Sequence, residues 1–90
     1  MKDALRIIAY GIVQGVFFRQ TMKDNADMLG LYGFVRNEID GTVFIEIEGE
    51  RDKLNEFLHL CRIGPKSSNV SDLSISEIPL KNYISFEIEY

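Results

Sequence analysis

The spacing of apolar and polar residues along this chain switches between a two-residue and a helical period, and each switch marks an element. Leu5, Ile7 and Ala9 alternate with Arg6, Ile8 and Tyr10. Apolar character on both sides predicts a strand in the interior of a sheet. A glycine-bearing segment, GIVQGVFFR from Gly11 to Arg19, follows. From Phe18 the period becomes helical: Phe18, Met22, Ala26 and Leu29 share one helix face, and Gly30 ends the helix as its C-terminal cap. Tyr32 to Ile39 and Thr42 to Glu48 read as two strands flanking Asp40-Gly41, a dipeptide favoured in tight hairpins whose turn residues need positive φ. In the second of these strands Val43, Ile45 and Ile47 face one side, and Thr42, Glu46 and Glu48 the other.

After Gly49 the helical spacing returns through Leu54, Phe57, Leu58 and Cys61, with Glu50 and Asp52 near the first turn, where acidic groups are favourable. Ile63 to Asn69 is rich in turn residues. Two strand-like runs follow, Val70 to Ile78 and Ile84 to Tyr90, and Pro79 between them marks an edge or a break. The order strand, helix, strand, strand, helix, strand predicts an α+β, ferredoxin-like split βαβ sandwich (β-α-β-β-α-β). Its sheet is expected to be antiparallel with both helices on one face, in a single domain spanning residues 1–90. That architecture serves RNA binders, metal carriers, regulatory modules and small enzymes alike, so the loops have to decide function.

Composition narrows the classes. Ninety residues suffice for one small core that buries about 60 to 65% of the unfolded chain's surface. No apolar run approaches the roughly 20 residues of a membrane span, and the first residues do not form a signal-peptide block, so a soluble cytoplasmic protein is expected. The net charge of −4 argues against nucleic acid, whose binding is carried by lysines and arginines. An anionic ligand would need a local device. Cys61, the single cysteine, falls in the apolar stripe of the second helix and reads as packing. His59 has no second histidine to join it, and Asp24 and Asp27 read as a solvated helix face. No metal site and no cofactor are expected.

Arg19 is the anomaly. It falls in the first turn of a helix, where the dipole is positive and a cation costs about 0.3–1 kcal/mol. A segment that leaves a strand and enters a helix presents backbone N–H groups without internal partners, and Gly15 lets the chain bend closely round a ligand. A phosphate-sized anion could gather those donors and turn Arg19 into a forked, charge-assisted partner. Loop chemistry alone leaves a second reading open, a tight turn followed by a surface arginine paired with a carboxylate. A nucleotide-binding P-loop is excluded, because its lysine and its magnesium-binding hydroxyl are both missing. Asn37, three residues before Asp40-Gly41, reads by itself as a turn asparagine.

Two stretches resemble a known family. GIVQGVFFR is similar to the acylphosphatase signature G-x-V-Q-G-V-x-F-R at each specified position. GFVRNEIDGTVFIEIEG, Gly33 to Gly49, resembles the second signature of that family, and the resemblance extends through LGLYG, CRIGP and the terminal FEIEY. It is loosest over residues 62–83. The resemblance implies hydrolysis of the carboxyl-phosphate bond of small acyl phosphates to carboxylate and inorganic phosphate, without metal or cofactor; nothing in the sequence suggests more than a monomer. It assigns phosphate binding to Gly15, Val16, Phe17, Phe18 and Arg19, and catalysis to Arg19 and to Asn37, the latter positioning the attacking water. Phe17 departs from a position often held by glycine, and Glu89 stands where many members carry a basic residue.

That reaction suits the residues on independent grounds. The leaving carboxylate is a stable anion near neutral pH, so general acid catalysis is dispensable and the tasks left are positioning and charge neutralisation. An RNA binder of this topology would want more aromatic and basic residues than TVFIEIE offers, and a copper carrier would want paired cysteines in the first loop. The alternative is an acylphosphatase-like domain that binds an anion or a partner without turnover.

Overall fold

The computed structural model describes residues 1–90. In chain order the elements are β1 (Lys2–Ile12), α1 (Phe18–Leu29), β2 (Tyr32–Asn37), β3 (Val43–Glu50), α2 (Arg51–Ile63), β4 (Asn69–Ile78) and β5 (Phe86–Glu89). They form one five-stranded sheet in the order β4-β1-β3-β2-β5, with both helices packed on the same face. The expected ferredoxin-like arrangement is present. β1 runs antiparallel to β3 and β4, and β2 antiparallel to β3. β5 is the exception, pairing parallel to β2 at the far edge, so the sheet is mixed rather than wholly antiparallel.

The alternation in β1 and β3 builds the core. Leu5, Ile7 and Ala9 join Val43, Ile45 and Ile47 beneath Phe18, Met22 and Ala26 of α1 and Leu54, Phe57 and Cys61 of α2. Each fully buried large apolar side chain contributes about 1.5–3 kcal/mol, which is why the helices settle on this face. The opposite side of β1 is less apolar than its sequence suggests, with Ile8 half-buried and Tyr10 exposed. Burial pushes the Cys61 thiol up to about 12, as expected of a packing residue. His59, Asp24 and Asp27 are exposed, and the two aspartates are held by Gln20 and Lys23 along the helix. No helix is long and apolar enough to cross a membrane.

The hairpin differs from the expected two-residue turn. Glu38 N–H donates to the Thr42 carbonyl at 2.9 Å, which closes a three-residue loop. Gly41 alone takes positive φ, at 92°, and Asp40 does not. The Asp40 side chain is occupied instead with capping the loop, accepting from Thr42 N–H at 3.0 Å and Thr42 Oγ1 at 2.6 Å. The strands accordingly stop at Asn37 and resume at Val43, short of the Ile39 and Thr42 limits expected from sequence. β3 continues through Gly49 and Glu50 because Asp3 and Lys2 of β1 pair with them.

Gln14 joins this hairpin to the segment that leaves β1. Its Nε2 donates to the carbonyls of Glu38 and Thr42, each at 2.8 Å. Both amide hydrogens are thereby used.

The polar side of β3 is covered. Residues 79–85 fold back across it, and Glu46 and Glu48 are only 3% and 5% exposed. Glu46 accepts from Lys81 Nζ at 2.8 Å, from the Tyr83 hydroxyl at 2.7 Å and from Arg6 Nε and Nη2 at 3.2 and 3.1 Å. Glu48 accepts from the backbone N–H of Lys81 at 3.0 Å and from that of Tyr83. Burial works to raise the Glu46 pKa, but the donors Lys81, Tyr83 and Arg6 outweigh it and hold the carboxyl below its ordinary 4.5. Burial, followed by the bond to Glu46, pushes the Tyr83 phenol well above its ordinary value. The two carboxylates thus fasten the chain that leads into β5.

Two stability measurements check these ties. Because the folded-state pKa of Glu46 lies below the unfolded one, its stabilisation is complete above the unfolded value and is lost as pH falls through the folded value. Urea unfolding at stepped pH should show that loss below about pH 4.5, and Glu46→Gln should cost about 1.5–3 kcal/mol at neutral pH and reduce the acid dependence. Gln14→Ala should cost about 1–2 kcal/mol by the urea midpoint. Gln14→Glu should not rescue it, since a carboxylate cannot donate to two carbonyls.

Candidate active site

Strand direction sets where the site lies. β1 and β2 both run against β3, and β5 runs with β2, so the C-terminal ends of β1, β2 and β5 emerge on one edge of the sheet. The segment after β1 enters α1 there. Asn37 is the last residue of β2, and Ile88 and Tyr90 come from β5 and the residue after it.

The N-terminus of α1 is electrostatically open. No side chain caps it and its first turn holds no acidic residue. Phe17 stands at the cap with φ 62° and ψ 21°, a left-handed conformation, and Gly15 has φ 71°. At Gly15 a Cβ would meet nothing within 4 Å; the glycine is needed for its backbone angle. The backbone N–H groups from Gly15 to Gln20 donate to no protein acceptor. The Phe17 carbonyl, by contrast, is held by Thr21 N–H at 3.0 Å and Thr21 Oγ1 at 2.9 Å, which anchors the bend while leaving its amides uncommitted. Unpaired amides and the positive end of a helix dipole form an anion-binding surface.

A cleft of about 270 Å³ opens against these amides, lined by Val13, Gly15, Phe17, Phe18, Arg19, Gln20, Asn37, Ile88 and Tyr90. Arg19 and Asn37, eighteen positions apart in the sequence, therefore face one space. Arg19 is the only charged side chain among the lining residues, so a chain of net charge −4 presents a local cation with no carboxylate side chain beside it. Arg19 Nη1 donates to the Glu89 carbonyl at 3.2 Å, and the guanidinium lies 4.7 Å from the centroid of the Tyr90 ring. One of its five N–H donors is used in this way, and the side chain is steered by the end of β5.

Asn37 does not serve as the turn residue its position suggests, because Asp40 does that work. Its Oδ1 is buried without a hydrogen-bond partner. A buried carbonyl oxygen left unpaired costs about 1–3 kcal/mol in a fold.

Of the five residues assigned to phosphate binding from sequence, Gly15, Phe17, Phe18 and Arg19 line the cleft. Val16 belongs to the same bend but packs its side chain against the core. Ile88 and Tyr90 were not legible as site residues, since nothing in FEIEY signals that β5 lies beside β2. The acidic Glu89 leaves the arginine undisturbed, because its carbonyl holds Arg19 while its carboxylate points to Arg36 Nη1 at 3.8 Å. No group of three or more histidine, cysteine, aspartate or glutamate side chains is placed to share a metal ion.

Known proteins match this chain over nearly its whole length. The acylphosphatase family model matches residues 5–88. An acylphosphatase of Ligilactobacillus salivarius is 44% identical over 87 residues, covering 94% of this chain and 96% of that protein. An acylphosphatase of Thermotoga maritima is 41% identical over 87 residues, covering 97% of each. The crystal structure of acylphosphatase from Bacillus subtilis superposes with a TM-score of 0.96 at 38% identity, covering 100% of both chains. With signature stretches, fold and relatives in agreement from end to end, the chain belongs to the acylphosphatase family and is an acylphosphatase enzyme.

Proposed function

We propose that this enzyme hydrolyses small acyl phosphates by clamping the phosphoryl group between the amides of Gly15 to Arg19 and the Arg19 guanidinium, while Asn37 aims a water at phosphorus. The observation that carries this reading is the shared cleft: Arg19, an unpartnered Asn37 and a row of uncommitted amides face the same space.

Each part has one task. The amides and the helix dipole receive the phosphoryl oxygens, and the free donors of Arg19 bridge two of them. Charge developing on those oxygens in the transition state meets donors already in place, which is the largest lever available to such a site. The Asn37 amide orders the water in line with the bond to the carboxyl oxygen. Attack forms the new phosphorus–oxygen bond as that bond breaks, the water gives its proton to phosphate oxygen or solvent, and the carboxylate leaves with its electron pair. A carboxylic acid ionises near pH 4, so the leaving group needs no proton donor, and neither a general acid nor a metal is required by this scheme.

Steady-state hydrolysis of acetyl phosphate and benzoyl phosphate, with chelator present, tests the scheme directly. Arg19→Ala should lower kcat/KM by about 10³-fold or more with the circular dichroism spectrum retained; near-wild-type turnover in that variant would remove Arg19 from the chemistry. Asn37→Ala should lower kcat by about 10²–10³-fold with little change in KM. A large rise in KM at constant kcat would reassign Asn37 to substrate binding.

A further inference from the structure

Phe17 is unfavourable for the fold in two respects. Its backbone is left-handed, with φ 62°, a conformation that strains any residue with a Cβ and that glycine adopts freely. The residue is 80% exposed, so the ring buries little of its apolar surface in return. The bend needs the backbone angle and has no evident need of the ring. What the ring does have is a place: it lines the cleft that holds Arg19 and Asn37. Tyr90 lines the same cleft and is 98% exposed, with its ring against the Arg19 guanidinium. Two aromatic rings thus stand in the open beside a site whose interior is built for an anion.

The in-line geometry of the proposed reaction gives these rings an occupant. The phosphoryl oxygens lie against the amides, and the carboxyl oxygen departs on the side opposite the water. The acyl portion of the substrate must therefore reach away from the cradle toward solvent, where the exposed rings are.

Resting on the reading of the site given above, we propose that Phe17, with Tyr90, forms an aromatic rim that receives the acyl group and biases this enzyme toward aromatic acyl phosphates over short aliphatic ones. Phe17 is then a specificity residue, and its strained backbone is retained because the ring contacts substrate. Aromatic contacts at such a rim are offset-stacked or edge-to-face, so the preference is for a flat ring rather than for bulk alone.

The test is the ratio of kcat/KM for benzoyl phosphate to that for acetyl phosphate in the wild type, Phe17→Gly and Phe17→Leu. The intrinsic reactivities of the two substrates are the same for every variant, so comparing ratios between variants cancels them. Removing one aromatic contact should lower the ratio about threefold to tenfold in Phe17→Gly, equivalent to about 0.7–1.4 kcal/mol. Phe17→Leu should show an intermediate loss. Thermal melts should show Phe17→Gly folded and at least as stable as the wild type, since glycine relieves the left-handed strain. A ratio unchanged within twofold overturns the proposal, including the case in which both substrates slow together because the loop has been reshaped. A wild type that hydrolyses neither substrate overturns the reading of the site itself and this inference with it, an outcome distinct from loss of discrimination alone.

Discussion

Two 2.8 Å hydrogen bonds from a single amide, Gln14 Nε2 to the carbonyls of Glu38 and Thr42, join the chain segment that carries Arg19 to the one that carries Asn37. β3 lies between β1 and β2 in the sheet, so the segment leaving β1 must pass the end of β3 to reach the end of β2. Gln14 fixes that passage. Both carbonyls belong to the pair that closes the β2–β3 loop, and the same contact therefore sets the hairpin and the bend before α1 against each other. Positioning catalysis depends on such relations, because misplacement on the scale of 1 Å can cost about 10²-fold in rate.

Charge is arranged in two compartments. On the side of the sheet away from the helices, the carboxylates of Glu46 and Glu48 are consumed by Lys81, Tyr83 and Arg6, and they hold residues 79–85 in place. That chain runs directly into β5, whose end holds Arg19 through the Glu89 carbonyl and the Tyr90 ring. At the edge of the sheet, the first turn of the helix carries no acid and Arg19 is the only charged side chain lining the cleft. An acidic chain can thus offer a positive site because no carboxylate side chain lines the cleft. The apparent electrostatic error of a cation in the first turn of α1 is resolved if a phosphoryl group lies between guanidinium and dipole.

Much of this was legible along the chain. The periods of Leu5-Ile7-Ala9, of Phe18-Met22-Ala26 and of Val43-Ile45-Ile47 identified the strands and helix they now form, and all nine residues are buried. The GIVQGVFFR and GFVRN stretches singled out Arg19 and Asn37, which the fold brings to one cleft. Other features were misread for physical reasons. Asp40-Gly41 suggested a two-residue turn, but the loop is three residues long because Asp40 bonds Thr42 instead of taking positive φ. The spacing placed Glu46 and Glu48 on the far side of β3 but did not show that side to be covered, because alternation reports only that two faces differ, and a covering segment more than thirty residues later is invisible to it.

The sequence by itself determined the elements, the core face and the residue types suited to holding an anion, since these follow from local periodicity and side-chain chemistry. Tertiary structure decided which residues meet. That β5 lies parallel beside β2 and brings Ile88 and Tyr90 to Arg19, that Gln14 spans the end of β3, and that Asn37 Oδ1 is left without a partner all depend on strand order and direction. Those are set by long-range pairing, which a local pattern of side chains cannot encode.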